Sequence, residues 1–292
     1  MQCFVIVKHR ADLRAKLSPN GENTPPPSKT QTPATVPFDF YFWFCYDENI
    51  NIRSTILKIK YFWEHNGDDS LLYSTEYLGA FTRGKSVDIA KSKMPIEIKS
   101  FNEWRGKGCL TEDFDIEISE EKVSDLNICD ADSDAILHTE TLPMTISEYE
   151  ILKTLALKSA NDFLTLYKSI PSKEKSCLPQ RKTFYGAVPR TAKEMYDHTK
   201  NVNNYYFGEI GVECDNDGDI LLCREHGFTL LERQPNFLEN KVLEGSYNEL
   251  WSLKKMLRRF IWHDRIHAKA MYRMAKKTFG CNSVPNIFYF DE

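Results

Sequence analysis

The chain has 292 residues, of which 41% are hydrophobic, 27% charged and 13% aromatic. This balance is typical of a soluble globular protein with enough apolar material for a core, and the length favours two domains. The formal net charge of -4 argues against a nucleic-acid-binding protein, which usually carries a basic excess or a basic face. No apolar run reaches the ~18 residues that a membrane span requires, so we expect no contact with a membrane.

The N-terminus and the cysteines predict a cytoplasmic protein with reduced thiols. The apolar stretch at the N-terminus is short and comes before the basic residues, which is unlike a signal peptide. The eight cysteines are scattered, and no Cys-x-x-Cys occurs. In a chain of this length without an export signal, the pattern indicates free thiols in a reducing compartment.

Residues 1–140 are predicted to form a small α+β domain. Short strands are expected at residues 4–7 and 38–46, where apolar and aromatic residues cluster. Between them, residues 18–37 are rich in proline, and we interpret this stretch as a loop. Residues 50–63 fit either a strand or a helix.

The rest of this predicted domain contains two strands and a helix. Residues 73–82 predict a strand that enters a turn at Arg83 and Gly84. A helix is expected next, and Pro95 within it predicts a kink or a break. The apolar face of this helix consists of Val87, Ala90, Met94, Ile98 and Phe101. Residues 114–119 alternate in polarity and predict a strand with one solvated face.

Residues 141–292 have a helical period and predict four helices. In the first, Leu152, Leu155, Ala156, Phe163 and Tyr167 share one face, and Pro171 lies beyond its end. Thr191 and Glu194 form a capping-box pattern at the start of the second helix. Its apolar stripe consists of Ala192, Met195, Thr199, Val202 and Tyr206.

The remaining two helices complete an antiparallel bundle. A shorter third helix is expected between residues 221 and 234, and the longest helix between residues 247 and 279, with Gly280 as its C-cap. Four helices with modest connections pack most simply as an antiparallel four-helix bundle. The basic residues Lys254, Lys255, Arg258 and Arg259 are interpreted as the solvated face of the last helix.

Three histidines lie on or beside the apolar stripes of two of these helices. His263 and His267 are four residues apart, so both rings project from one helix face, and His198 borders the stripe of the second helix. Burying an unpaired imidazole is costly, and a shared metal ion would satisfy all three rings. Three protein ligands and an open position are typical of a catalytic site. Imidazole suits zinc, nickel, iron or copper.

Other interpretations stay open at this point. Each histidine could be an ordinary hydrogen-bonded residue, because the His-x-x-x-His spacing also occurs by chance. Asp264 could be a fourth ligand, a residue that orients a ligand, or a solvent-facing residue. Glu194 could orient His198, although its role in the capping box is favoured.

The helix order and the local sequence resemble the DinB-like family, also described as DinB/YfiT-like metalloenzymes. The resembling segments are Glu194-Met-Tyr-Asp-His198, followed by Asn201 and Asn203, and the run from Leu250 to His263. The resemblance covers residues 145–280, about half of the chain. It implies a four-helix bundle that holds a divalent metal through His198, His263 and His267. Some members resemble transferases or isomerases that use bacillithiol or mycothiol, so a low-molecular-weight thiol is a further candidate cofactor.

The first half has a second resemblance, to the small HicB-like α/β domain. It rests on Phe81-Thr-Arg-Gly84 leading into the helix from Val87 to Trp104, with Pro95 inside, and on the strand near Phe114. In some proteins this domain is fused ahead of a DinB-like bundle. The fold class expected is therefore α+β, with a HicB-like domain in residues 1–140 and a DinB-like bundle in residues 141–292.

The function expected is that of a divalent-metal-dependent enzyme of the DinB-like class, with zinc, nickel or iron on the three histidines. The ion would activate a thiol or a water for transfer or hydrolysis of a small-molecule substrate; no further catalytic residue is identified. The alternative is a non-catalytic interaction or scaffold protein with a structural or vestigial metal site. A homodimer stays an option, and no nucleic-acid partner is expected.

Overall fold

The computed structural model describes residues 57–110, 114–130, 132–183 and 186–291. These residues form five α-helices, one four-stranded mixed sheet and two small two-stranded ribbons. The chain therefore has the mixed α and β composition expected of the α+β class. The strands predicted at residues 4–7 and 38–46, and the loop predicted at residues 18–37, lie outside the described residues.

The sheet is formed in the first half of the chain. Its strands are β1 (Leu57–Asn66), β2 (Asp69–Ser74), β3 (Phe81–Gly84) and β4 (Phe114–Val123), in the order β3-β2-β1-β4. The pairs β1–β2 and β2–β3 are antiparallel, whereas β4 runs parallel to β1. The segment that fitted either a strand or a helix is thus a strand from Leu57 onward. The alternation predicted for β4 is confirmed, because half-buried and exposed residues alternate along its length.

The prediction of one strand over residues 73–82 is wrong. The chain leaves β2 after Ser74, reverses direction, and returns as β3. The Ser74 hydroxyl accepts hydrogen bonds from the backbone N–H groups of Glu76 and Tyr77, which stabilises a turn at this point. Gly79 completes the reversal with a φ of 107°, a conformation that glycine adopts readily.

Helix α1 (Val87–Trp104) connects β3 to β4 and packs on the sheet. Ser86 caps its first turn by accepting a hydrogen bond from the N–H of Ile89. The predicted apolar face is largely confirmed: Ala90, Met94, Ile98 and Phe101 are buried. Pro95 does not break the helix, which continues without interruption through this position.

Four helices follow in the second half of the chain. They are α2 (Ile146–Ser169), α3 (Ala192–Glu209), α4 (Ile220–Leu231) and α5 (Leu253–Phe279). The predicted capping box of Thr191 and Glu194 is present at the start of α3, and Gly280 is the C-cap of α5. Helix α5 packs against α2 and α3, and α4 packs against the same two helices.

The start of α5 differs from the prediction. The helix begins at Leu253 instead of near Tyr247, whose φ is 62°. Before the helix, residues Leu243–Glu244 and Leu250–Trp251 pair as a small antiparallel ribbon. Ser252 then caps α5 through a hydrogen bond from the N–H of Lys255. Three of the four ribbon residues are apolar, so polarity alone does not separate the ribbon from the helix that follows.

The basic residues at the start of α5 are buried, so their interpretation as a solvated face is wrong. Every position from Leu253 to Arg265 is buried, because other elements surround the first half of this helix. Acidic side chains from outside the helix lie beside the cations. The pairs are Lys254 with Glu148, Lys255 and Arg259 with Glu249, and Arg258 with Glu140. Burial lowers the pKa of Lys255 to about 8.

Both halves of the chain contribute to one apolar core. A single buried cluster includes residues of β1, β2 and α1 together with residues of all four later helices. Polar contacts also join the halves: the Trp104 indole donates to Asp162 at 2.8 Å, and Arg265 donates to Glu97 at 2.9 Å. The domain division near residue 140 stays a prediction, and the core continues across it.

None of the helices in the described part of the chain combines the length and apolar character needed to cross a membrane.

Helices α3 and α4 approach closely at Gly227. A Cβ atom at this position would lie 2.1 Å from Cε2 of the Phe207 ring, which packs against Phe228 and Phe260. Alanine normally stabilises a helix relative to glycine by ~1 kcal/mol. Here Gly227→Ala is expected to lower the free energy of unfolding by ~1–3 kcal/mol, because the Phe207 ring has to move. Denaturant unfolding measures the change.

The matched control is Glu225→Ala, at an exposed position of the same helix. This substitution is expected to change stability by less than ~0.5 kcal/mol. A Gly227→Ala protein that is as stable as the parent protein, or more stable, would show that α3 and α4 do not pack as closely as described.

Candidate metal centre

The imidazoles of His198, His263 and His267 lie together between α3 and α5. One ring nitrogen from each residue belongs to a group whose members all lie within 4.8 Å of one another. Nε2 of His198 is 3.2 Å from Nε2 of His263. The ring centroids are 4.5 Å apart for His263 and His267, and 4.6 Å apart for His198 and His267. The three residues that the sequence singled out are therefore neighbours in space.

Local structure explains this convergence. His263 and His267 are one turn apart on α5, so their rings project from the same side. The predicted stripe of α3 is buried, which turns His198 on its border toward α5. His263 is only 4% exposed, whereas His198 and His267 are partly exposed. The cluster thus lies at the edge of the core.

The spacing of one pair of these nitrogens fits coordination of a common ion. With zinc–nitrogen bonds of ~2.0–2.1 Å and tetrahedral geometry, two ligand nitrogens lie ~3.3 Å apart. The 3.2 Å between the Nε2 atoms of His198 and His263 agrees with this value, and without an ion the same contact is a hydrogen bond between the two rings. Nδ1 of His263 is buried and has no hydrogen-bond partner among the described residues. The described protein groups around this ring therefore leave one of its two nitrogens without a hydrogen bond.

The environment keeps the three imidazoles neutral. Burial lowers the pKa of His198 to about 3 and lowers the pKa values of His263 and His267 well below their usual range. The nearby rings and Arg259 lower the pKa of His263 further, because they disfavour a second positive charge. A neutral imidazole has a free lone pair, so protons compete little for these nitrogens at neutral and mildly acidic pH.

Asp264 follows His263 in α5, but its side chain points to a different partner. Its carboxylate is fully buried and accepts hydrogen bonds from Nη1 of Arg224 at 2.7 Å and from the Ser159 hydroxyl at 2.5 Å. A second bond, from Nη2 of Arg224 at 3.2 Å, makes the pair bidentate. The structure thus excludes a solvent-facing Asp264, and the carboxylate is engaged by Arg224 and Ser159.

Arg224 extends this network to all four helices of the second half. From α4, its Nε donates to Asn203 on α3 at 2.8 Å, and its Nη1 donates to the carbonyl of Ala156 on α2 at 3.1 Å. The guanidinium also lies 3.9 Å above the Phe260 ring on α5. Asn203 shares α3 with His198, and Asp264 adjoins His263. The network therefore sets the relative position of the helices that carry the histidines.

Sequence reasoning missed Arg224. A signal was present, because Arg224 follows Ile-Leu-Leu-Cys in a short helix whose other positions are largely apolar. A cation at such a position requires a buried counter-charge, and Asp264 was the only acidic residue between the two histidines of α5.

Glu194, His226 and Tyr206 are not part of the histidine cluster among the described residues. The Glu194 carboxylate accepts from the N–H groups of Arg190 and Thr191, which is its capping role. His226 is exposed, and its Nδ1 lies 3.9 Å from Asp215. The Tyr206 ring is buried with its centroid 5.9 Å from that of His263, so it forms part of the wall around the imidazoles.

Comparison of the chain with protein-family models, with curated proteins and with solved structures gives no match. The resemblances to the DinB-like and HicB-like families therefore stay predictions, and the site is interpreted from its own geometry.

The buried pair of Arg224 and Asp264 is expected to be sensitive to the loss of one partner. Asp264→Ala leaves the guanidinium buried without its counter-charge, and the free energy of unfolding is expected to fall by ~3–5 kcal/mol. The double variant Arg224→Met/Asp264→Leu removes both charges and should lose much less. Chemical denaturation of the single and double variants measures this difference.

Asp197→Ala serves as the control, because it removes the carboxylate of an exposed pair with Lys193 on α3. Solvent screens such pairs, so the change in stability should be small. Equal stability losses for Asp264→Ala and Asp197→Ala would contradict the network as described.

Proposed function

We propose that this chain is a divalent-metal-dependent enzyme in which His198, His263 and His267 hold the ion. The observation that carries the proposal is the convergence of three neutral imidazoles from two helices, with His198 and His263 65 residues apart in sequence. When bound, the ion would lower the pKa of a coordinated water or thiol and so supply a nucleophile for transfer or hydrolysis.

The donor set supports an open site. Three neutral nitrogens leave the charge of a divalent ion uncompensated and leave at least one position for an added ligand. Zinc, nickel and iron all accept imidazole ligands. The residues His198 and His267 are partly exposed, whereas His263 is buried. A small-molecule substrate would therefore approach past His198 and His267.

We further propose that α2 to α5 form a four-helix bundle of the DinB-like kind. In the same proposal, β1 to β4 and α1 form a HicB-like domain. The bundle is supported by the helix order, with one histidine on the second helix and two on the last, and by the packing of α5 on α2 and α3. The HicB-like domain is supported by the sequence of β3, α1 and β4.

A small thiol is the preferred co-substrate if the reaction is a transfer. Burial raises the pKa of the Cys214 thiol to about 12 and raises that of Cys223, so neither residue ionises readily. Neither of these cysteines would act as a nucleophile at neutral pH. A low-molecular-weight thiol bound to the ion would supply the thiolate instead.

A second candidate function is a non-catalytic scaffold with a structural or vestigial metal site. It is favoured by one observation: among the described residues, no carboxylate or cysteine joins the three histidines, so a general acid or base is not identified. The two functions differ in whether the ion accepts an exogenous ligand.

Both candidate functions require that the three histidines bind a metal ion, and the metal stoichiometry tests this requirement. The untagged protein is expected to bind about one divalent ion per chain, and His263→Ala to retain less than about a tenth of this amount, because a three-ligand site loses a buried donor. Elemental analysis after gel filtration measures both. His226→Ala removes an exposed histidine and should retain the metal. Retention by His263→Ala equal to the parent protein would refute the site.

Cobalt substitution separates the two functions. Cobalt(II) on the three histidines should give visible d–d bands, and a small thiol such as dithiothreitol should add a sulfur-to-cobalt charge-transfer band if a coordination position is open. The His263→Ala protein should show neither. A cobalt spectrum that does not change at saturating thiol, and that also does not respond to cyanide, would favour the scaffold.

A further inference from the structure

A cavity of about 280 Å³ lies where the two halves of the chain meet. The first half contributes the turn between β2 and β3 and the end of α1, and the second half contributes α2 and the start of α5. Sites for drug-sized ligands usually measure ~300–1,000 Å³. The volume of this cavity therefore suits a small metabolite.

The lining of the cavity contains a set of apolar side chains. Phe101 is fully buried and Ile151 is 59% exposed, so the apolar set extends from the core to the solvent. An aliphatic group placed against this set would be removed from water, which stabilises the bound state by ~25 cal/mol per Å² of apolar area. The members of the set are Leu78, Phe101, Ile151, Leu152 and Leu155.

The lining also contains two cations and two carboxylates, of which only one pair is matched. Lys254 forms an ion pair with Glu148 at 3.4 Å. Among the described residues, Arg105 has no acidic side chain and Glu76 no basic side chain at ion-pair distance. Burial raises the pKa of the Glu76 carboxyl, and the charge of Lys60 offsets this rise only in part. The cavity thus has one unpaired charge of each sign.

The Arg105 guanidinium is held in position without a carboxylate. Its Nε donates to Oδ1 of Asn102 at 3.0 Å, and the group lies 4.8 Å from the centroid of the Tyr77 ring. Burial lowers the pKa of Arg105, because a half-buried cation loses hydration. Among the described residues, no side chain accepts from Nη1 or Nη2. A guanidinium in this state can bind a carboxylate through two parallel hydrogen bonds.

The hydroxyl of Thr139 gives the cavity a third polar group. Its Oγ1 is buried and has no hydrogen-bond partner among the described residues, and Thr139 lines the same cavity. A buried hydroxyl without a partner costs free energy, and such groups in native proteins are uncommon. A polar ligand in the cavity would supply the missing hydrogen bond.

We propose that this cavity binds a free α-amino acid with an aliphatic side chain. The carboxylate of the ligand pairs with Arg105, its ammonium group pairs with Glu76, and the Thr139 hydroxyl bonds to one of these groups. The aliphatic side chain packs on the apolar set. A zwitterion matches two unpaired charges of opposite sign, whereas Glu76 repels a simple anion and Arg105 repels a simple cation.

This inference goes beyond the proposed metal-dependent function and does not depend on it, because none of the three histidines lines the cavity.

Isothermal titration calorimetry of the full chain with leucine, N-acetyl-leucine, leucinamide and glycine tests the proposal. Leucine should bind at one saturable site. N-acetyl-leucine lacks the ammonium group and leucinamide lacks the carboxylate, so each should bind about tenfold more weakly or worse. Glycine should be weakened by at least as much, because it lacks the aliphatic side chain. Equal affinity for leucine and any of the three analogues, or no saturation by leucine up to about 10 mM, would overturn the proposal.

A pair of charge-removing variants locates the binding. Arg105→Gln should weaken leucine binding by about tenfold or more, because it removes the charge-assisted donors. Lys107→Gln removes the same charge from an exposed position nearby in the chain and outside the cavity, and should weaken binding by less than about twofold. Equal effects of the two variants would show non-specific attraction and overturn the proposal.

Thr139→Val keeps the shape of the side chain and removes only the hydroxyl. Leucine binding should weaken by about threefold or more, because one hydrogen bond to the ligand is lost. The free energy of unfolding of the ligand-free variant should not fall, since Oγ1 has no partner to lose. Leucine binding as tight as in the parent protein would place the ligand outside this cavity and contradict the proposal.

His263→Ala separates the cavity from the histidine cluster, because a free amino acid can also coordinate a metal ion through its amine and carboxylate. Leucine binding that persists in His263→Ala and is weakened in Arg105→Gln would support the cavity site. Loss of leucine binding in His263→Ala, together with full binding by Arg105→Gln, would place the amino acid on the metal centre and refute the cavity site.

Discussion

The buried ion pair between Arg224 and Asp264 is the interaction on which the arrangement of the helices depends. Both side chains are fully buried, and the removal of two charges from water is costly unless their remaining donors and acceptors are filled. Ser159 on α2 donates a hydrogen bond to Asp264, and Asn203 on α3 accepts one from Arg224. These bonds form together only when all four helices hold their relative positions. The convergence of the three imidazoles is a by-product of the same alignment.

Local sequence patterns predicted the parts of this arrangement that depend on neighbouring residues. The capping box of Thr191 and Glu194 predicted the start of α3, and the apolar stripe that follows predicted the buried face of this helix. The position of His198 beside that face follows from the stripe. The four-residue spacing of His263 and His267 placed both rings on one side of α5. These features follow from helix geometry, which acts within a few residues.

The sequence could not reveal features that depend on partners outside the helix. The cations Lys255 and Arg258 have the same helical period whether they face water or buried carboxylates, and their partners Glu249 and Glu140 come from outside the helix. The burial of α5 from all sides is likewise a property of tertiary packing. The turn after Ser74 was missed for a different reason: the apolar residues Tyr77, Leu78 and Ala80 predict a continuation of the strand, although Gly79 lies among them.

The adjacency of His263 and Asp264 has a consequence for how the protein can move. His263 belongs to the imidazole cluster, and Asp264 forms the ion pair with Arg224. A rotation of α5 about its axis would therefore displace both side chains. Breaking the ion pair costs free energy, so α5 is expected to keep its position relative to the other helices. The cluster can therefore be reached only past the partly exposed His198 and His267, with α5 staying in place.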